Sequence, residues 1–368
     1  MGRREFFAIA LAAARWKKAP PKEFLAELPE MMAVAPVPGA SIALLESGKV
    51  AWSGGFGVSN ADTKQPVAAD TVFESASLSK PVVAMAALGL RDEGKLDLDR
   101  PLSAYLPIVE DARAKLVTAR HVLSHSSGFP NWRFKAGEPL TPAFQPGERF
   151  QYSNEGFVYL QRVIEEITGQ AFGDFMEARA LGPLGMTSSS FTWTAELAPR
   201  VASPHGRRGG VIESPAKRER AGLLERAGAQ NRKTSSFRYA EHEALLREIG
   251  ERVMPVNVIT NAAASLLTTP ADYARFLIAA MRKSETHAEQ VKIRESLAWG
   301  LGWGLERAGG RRYLWHWGDN TGFKNFVLAE AATGFGVIVF TNGDLGMRLC
   351  ERVVTRATGQ EHPAFLWI

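Results

Sequence analysis

Residues 77–80 read Ser77-Leu-Ser-Lys80, and the chain runs on through Pro81-Val-Val-Ala-Met-Ala-Ala-Leu88. A serine and a lysine three residues apart share one face of a helix, so the lysine amine can reach the serine hydroxyl. That pairing joins a nucleophile to its base. Val72-Phe-Glu74 leads into the segment, so Ser77 is expected where the chain enters a helix. Pro81 suits a first helical turn, where its missing N–H is not needed. Gly94 is the expected cap at the far end.

Ser-x-x-Lys alone is weak, because a chain of this length should hold about one by chance. A second copy, Ser214-Pro-Ala-Lys217, acts as an internal control. It lies in a charged stretch without apolar periodicity, and nothing at useful spacing supports it. Ser77 is supported by Tyr152-Ser-Asn154 and His316-Trp-Gly318, which occur once each and in this order. A tyrosine, an amide and a histidine are thereby added to the nucleophile. The conjunction points to serine hydrolysis through an acyl-enzyme. Taken singly, Ser77 and Lys80 would be a capped helix start, Tyr152 and Asn154 a loop pair, and His316 a packed strand residue.

Outward from these motifs, the pattern predicts a helix near 22–34 after Pro20-Pro21. Strands follow at Ser41–Leu45 and Val50–Gly54, joined by a turn at 47–49. Helices are expected at Thr118–Ser124, Glu155–Thr168 and Phe172–Ala180. Residues 205–252 read as a solvated insertion of loop plus charged helix, with Glu241–Arg252 the helical part. Thr269-Pro270 starts another helix. Strands are expected at Trp299–Glu306, Tyr313–Trp317, Phe323–Ala329 and Gly336–Thr341, before a closing helix at Leu345–Ala357. This order describes an α/β protein: an antiparallel sheet flanked by terminal helices, with an all-helical domain inserted. The boundaries read 22–90 and 260–368 for the sheet domain and 91–259 for the helical one.

Of 368 residues, 45% are hydrophobic and 23% charged, the balance of a globular chain with a full core. No apolar run approaches the ~18 residues of a membrane helix. A single cysteine, Cys350, excludes internal disulfides and Cys-x-x-Cys sites. The net charge of +5 is mild, and no nucleic-acid-binding module accompanies it. His242-Glu243 lacks the second histidine of a zincin helix, and no Gly-x-Ser-x-Gly elbow, phosphate loop or dinucleotide fingerprint is present. No metal or cofactor is implied, and the partner is a small-molecule substrate. Arg3-Arg4-Glu5-Phe6-Phe7 and the apolar run to Ala14 resemble a twin-arginine leader over residues 1–21. Export to the periplasm is the expectation, with a cytoplasmic protein carrying a basic N-terminal helix as the alternative.

The three motifs, with Leu123-Ser-His-Ser-Ser-Gly-Phe129, Gln145-Pro-Gly-Glu-Arg-Phe-Gln-Tyr-Ser-Asn154 and Gly318-Asp-Asn-Thr-Gly-Phe323, resemble the serine β-lactamase and penicillin-binding-protein superfamily. The likeness is to its class C side, which includes family VIII carboxylesterases and D-aminopeptidases, and it covers roughly residues 22–358. It implies an active site between the sheet and the helical domain. Ser77 would attack the carbonyl. Lys80 would be the base, or would hold Tyr152 as a phenolate that takes the Ser77 proton and hands it to the leaving group. Asn154 would orient Lys80 and bind the acyl chain. The N–H groups of Ser77 and Asp319 would form the oxyanion hole. His125 reads as a loop hydrogen-bonding residue.

One departure bears on substrate. β-Lactamases of this branch carry Lys-Thr-Gly where this chain has His316-Trp317-Gly318. A histidine of ordinary pKa is mostly neutral at pH 7, and an indole replaces a small hydroxyl, so recognition of an anionic β-lactam is weakened. Small esters or peptide-like amides are the favoured substrates, with weak β-lactam opening as a side activity. A silent penicillin-binding or sensing protein and a true class C-like β-lactamase are the alternatives. Trp299, Trp303, Trp315 and Trp317 either line an acyl pocket or pack in the core.

Overall fold

The computed structural model describes residues 15–135 and 137–368. The twin-arginine reading falls on residues outside that range. Arg15 and Trp16, read as leader, are packed on the body of the protein: Arg15 pairs with Glu330 of the sheet, and the Trp16 ring lies tilted 4.6 Å from that of Phe24 in the first helix.

Eleven strands form: β1 (Gly39–Glu46), β2 (Lys49–Asn60), β3 (Gln65–Pro66), β4 (Phe73–Glu74), β5 (Leu267–Thr268), β6 (Val291–Lys292), β7 (Leu297–Trp299), β8 (Gly304–Ala308), β9 (Arg311–Asn320), β10 (Phe323–Glu330) and β11 (Phe335–Thr341). Nine make one sheet in the order β3-β2-β1-β11-β10-β9-β8-β7-β6, while β4 and β5 pair separately. Its pairings are antiparallel, as expected. The β1–β2 turn is Ser47-Gly48, both with left-handed φ (52° and 70°), the conformation whose twist matches a tight hairpin.

Ten α-helices accompany them among the described residues. They are α1 (Lys22–Val34), α2 (Ser79–Asp92), α3 (Ala119–Leu123), α4 (Asn154–Thr168), α5 (Phe172–Met176), α6 (Lys217–Gln230), α7 (Tyr239–Glu248), α8 (Pro270–Met281), α9 (Gly346–Thr358) and α10 (Pro363–Trp367). No helix among the described residues is long and apolar enough to cross a membrane.

Both faces of the central strands are covered, so β1 and β11 read as nearly continuous apolar runs. Ile42, Leu44, Val337 and Val339 point toward α1 and α9, meeting Leu28, Val353 and buried Cys350. Ala43, Leu45, Ile338 and Phe340 point the other way, toward α2 and α8. Alternation along a strand and a 3.6-residue stripe along each helix build this three-layer core.

Three expectations need correction. The run 299–306 is two strands, because Gly300–Trp303 turns between them and Gly302 has φ +82°. Residues 205–252 hold two helices, not one. The second ends at Glu248, and α6 lay in the stretch read as aperiodic. Leu223, Ala227, Phe237 and Leu245 give this insertion a small core of its own, so it is not simply solvated.

Gly302 abuts the helix that carries Lys80. A Cβ there would lie 2.5 Å from the Ala84 side chain. Gly302→Ala is expected to cost about 1–3 kcal/mol through overpacking, on top of the positive-φ strain. Thermal melts of the two proteins would show this as a lowered Tm.

Candidate active site

Ser77 sits in a one-turn 3-10 helix, Ala76–Leu78, between β4 and α2. Ala76 takes a left-handed φ of +52°, which a residue with a Cβ adopts only when its surroundings impose it. The imposition is visible. Ser75 donates from both N and Oγ to Leu266 O (2.9 and 2.7 Å). Ser79 Oγ donates to Ala76 O (2.6 Å) and accepts from Leu266 N (2.9 Å). On the other side β9 runs against the turn. A Cβ on Gly318 would lie 2.2 Å from Ser75 O, so glycine is needed there for close approach.

Lys80 is fully buried. Its Nζ lies 2.9 Å from Ser77 Oγ and 2.8 Å from Ala263 O. Burial pushes its pKa well below that of an ordinary lysine, because the ammonium loses its hydration. A neutral amine at hydrogen-bond distance from a hydroxyl can accept its proton. The control pair behaves oppositely. Lys217 is largely exposed and bound to Glu213 at 2.7 Å, and that hydrogen bond raises its pKa. Ser214 Oγ accepts from Ala216 N instead.

Tyr152 is brought beside this pair, but not as a phenolate. Burial of its hydroxyl raises its pKa above the ordinary value, outweighing the pull of the neighbouring Ser77 hydroxyl. Lys80 Nζ stands 4.8 Å from the centre of the tyrosine ring, over its face. Neither hydrogen bond of Lys80 goes to Asn154. That side chain donates to Asn131 Oδ1 at 2.7 Å, and Ala263 O takes the place expected for it.

His316 is also fully buried, behind the cleft rather than in it. Its Nδ1 donates to Trp317 O at 2.8 Å. Burial, with Lys80 nearby, pushes its pKa down to about 3, so it is neutral for a stronger reason than an ordinary pKa. Trp317 packs on Tyr152 at 4.8 Å between ring centres. His316, Trp317 and Gly318 therefore shape the floor and sides of the site and do not line its opening. Asp319 does line it, its carboxylate 2.8 Å from Lys324 Nζ.

The opening is a cavity of about 460 Å³ containing Ser77, Asn154 and Asp319. Its other walls were not read from the sequence. Glu74, Trp132, Trp193, Ser214, Arg218 and Arg220 contribute to them. None of the four tryptophans proposed for an acyl pocket does; Trp299, Trp303 and Trp315 are core residues. Arg220 joins the insertion to β4, 2.7 Å from Glu74 and 4.3 Å above the Trp193 ring. The only signal for this wall lay in charge: two arginines in a stretch that also carries acidic residues.

Comparison with known proteins agrees with this architecture. The family profile described as beta-lactamase matches residues 26–356. Penicillin-binding protein 4* of Bacillus subtilis (strain 168) is 30% identical over 164 residues, 39% of this chain and 36% of that protein. The match thus spans about a third of that relative's length. Among solved structures, a D-alanine carboxypeptidase, AmpC, from Burkholderia cenocepacia superposes with a TM-score of 0.70 at 20% identity, covering 89% of this chain and 96% of the other. A class C beta-lactamase superposes with a TM-score of 0.70 at 19% identity, covering 92% and 95%. At these identities the structural likeness speaks to the fold.

The buried amine has a consequence for stability. Its folded pKa lies below its unfolded value, so the unfolded chain binds more protons and stability rises with pH up to about 10.4. Between the folded and unfolded values, folding must therefore discharge Lys80, at a cost in stability. Lys80→Met removes that cost, and the variant is expected to melt higher than wild type at pH 7 while losing hydrolysis. Calorimetry and an ester assay on the same sample check both halves.

Proposed function

We propose that this chain, which belongs to the beta-lactamase family, is a serine hydrolase acting through an acyl-Ser77 intermediate on small carboxylic esters or peptide-like amides. The observation that carries the reading is the sealed Lys80 amine 2.9 Å from Ser77 Oγ. Lys80 takes the proton as Ser77 attacks the carbonyl carbon. Tyr152, un-ionised, is the proton donor to the departing oxygen or nitrogen, and the Lys80 ammonium then restores its proton. The N–H groups of Ser77 and Asp319 hold the oxyanion. Water, activated by the same amine, releases the acyl group. Catalysis occurs between a sheet domain and a helical domain, as the boundaries at 90 and 260 imply.

Substrate preference follows from charge. An anionic β-lactam needs a cation free to meet its carboxylate. His316 is neutral and buried. Both arginines lining the cleft are committed, Arg218 to Glu251 at 2.6 Å and Arg220 to Glu74 at 2.7 Å. Neutral acyl groups meet no such deficit.

Steady-state turnover of a short p-nitrophenyl ester and of a chromogenic cephalosporin, side by side, tests this. Ester hydrolysis is expected to dominate, and Ser77→Ala to abolish it, a loss of about a million-fold in kcat. Efficient cephalosporin opening would make the protein a β-lactamase. Ester turnover surviving in Ser77→Ala would remove the assignment of the nucleophile.

A further inference from the structure

We infer that His125 is a positioning residue for Tyr152, gripping the backbone on both sides of the tyrosine while its imidazole supports the phenol ring. The inference rests on the reading of Tyr152 given above. Gln151 N donates to His125 O at 2.7 Å. Ser153 N donates to His125 Nδ1 at 3.1 Å. Between those two contacts the Tyr152 ring lies stacked on the imidazole, 4.1 Å between centres and 27° between planes. One residue thus fixes positions 151, 152 and 153.

His125 is held as firmly as what it holds. It is fully buried, and its φ is +53°. The left-handed region is uncommon for a residue with a side chain and persists where the surroundings impose it. The edges of Trp299 and Phe150 close on the ring at 5.1 and 5.8 Å.

Chemistry selects histidine here. A ring nitrogen that accepts from Ser153 N–H must carry a lone pair, so in the neutral imidazole the proton is on Nε2. Phenylalanine could stack but could not accept. A protonated ring would lose the acceptor and set a charge beside Tyr152. Burial, with Lys80 and His316 as the charged or titratable groups facing it, holds the His125 pKa well below its ordinary value. The clamp therefore stays in its accepting form. Nε2–H is buried without a partner, so Nδ1 makes this side chain's hydrogen bond.

The experiment compares His125→Phe, His125→Asn and Tyr152→Phe with wild type on a p-nitrophenyl ester. Tyr152→Phe is expected to be strongly impaired. His125→Phe keeps an aromatic ring and loses the acceptor. It is expected to lower kcat by about 100-fold, the scale of a misplaced catalytic group, with KM little changed. Asparagine offers Oδ1 near the Nδ1 position and tolerates left-handed backbone, so His125→Asn is expected to recover most of that loss. Full kcat in His125→Phe beside an impaired Tyr152→Phe overturns the positioning role alone. Equal impairment of His125→Phe and His125→Asn overturns it too, since packing would then explain both. Full activity in Tyr152→Phe overturns the reading of Tyr152 and the inference with it. Nitrogen-15 NMR of the wild-type histidines decides the tautomer whatever the variants do: a proton on Nε2 of His125 supports the clamp, and a proton on Nδ1 overturns it.

Discussion

A lysine amine sealed from water, 2.9 Å from a serine hydroxyl, is the constraint on which the rest of the site depends. Burying an ammonium is costly, and a lysine so placed escapes the cost by giving up its proton. What destabilises the fold also leaves the amine able to accept a proton. The surroundings carry the consequence. Ala76 is held left-handed, Ser75 and Ser79 are tied to Leu266, and Gly318 lets β9 press against the turn. Each contact keeps the nucleophile against its base without admitting water.

Desolvation also orders the other titratable groups. Tyr152, His125 and His316 are all pushed toward their neutral forms, chiefly by burial. Beyond them the cleft wall is charged but balanced, with Arg220 against Glu74 and Arg218 against Glu251. Glu219, buried under the same wall, accepts from Ile259 N and lies beside His242. Arg220–Glu74 and the Ile259 N–H on Glu219 tie the insertion to the body of the protein, while Arg218–Glu251 and the small apolar core hold it together internally.

Much of this was legible in the sequence where the signal is local. The Ser77–Lys80 spacing, the Gly94 cap and the Thr269-Pro270 helix start depend on neighbours within a turn, and those elements formed as read. The continuous apolar runs of β1 and β11 carried the sheet. The errors lie where distant residues decide. α6 buries a glutamate, Glu219, among few apolar side chains, so its stripe is invisible to a hydrophobic period. The raised Tyr152 pKa, the Lys80 bond to the Ala263 carbonyl and the Asn154 bond to Asn131 were not read, because desolvation and distant partners enter only when the chain is folded. The cleft wall of Trp132, Trp193 and Arg220 joins segments nearly ninety residues apart. Apart from the charge of the stretch around Arg218 and Arg220, nothing near them in sequence marks it.

The most direct test of a neutral Lys80 is the pH dependence of Ser77 acylation, followed with a fluorophosphonate and localised by peptide mass. The reagent has no group that titrates in the range, so the rate reports the base. A neutral amine predicts labelling of Ser77 and not Ser214, at a rate that levels off well below the ordinary lysine pKa. A rate still rising toward about pH 10.4, the ordinary lysine value, would mean that Lys80 stays charged at neutral pH, and would contradict the account.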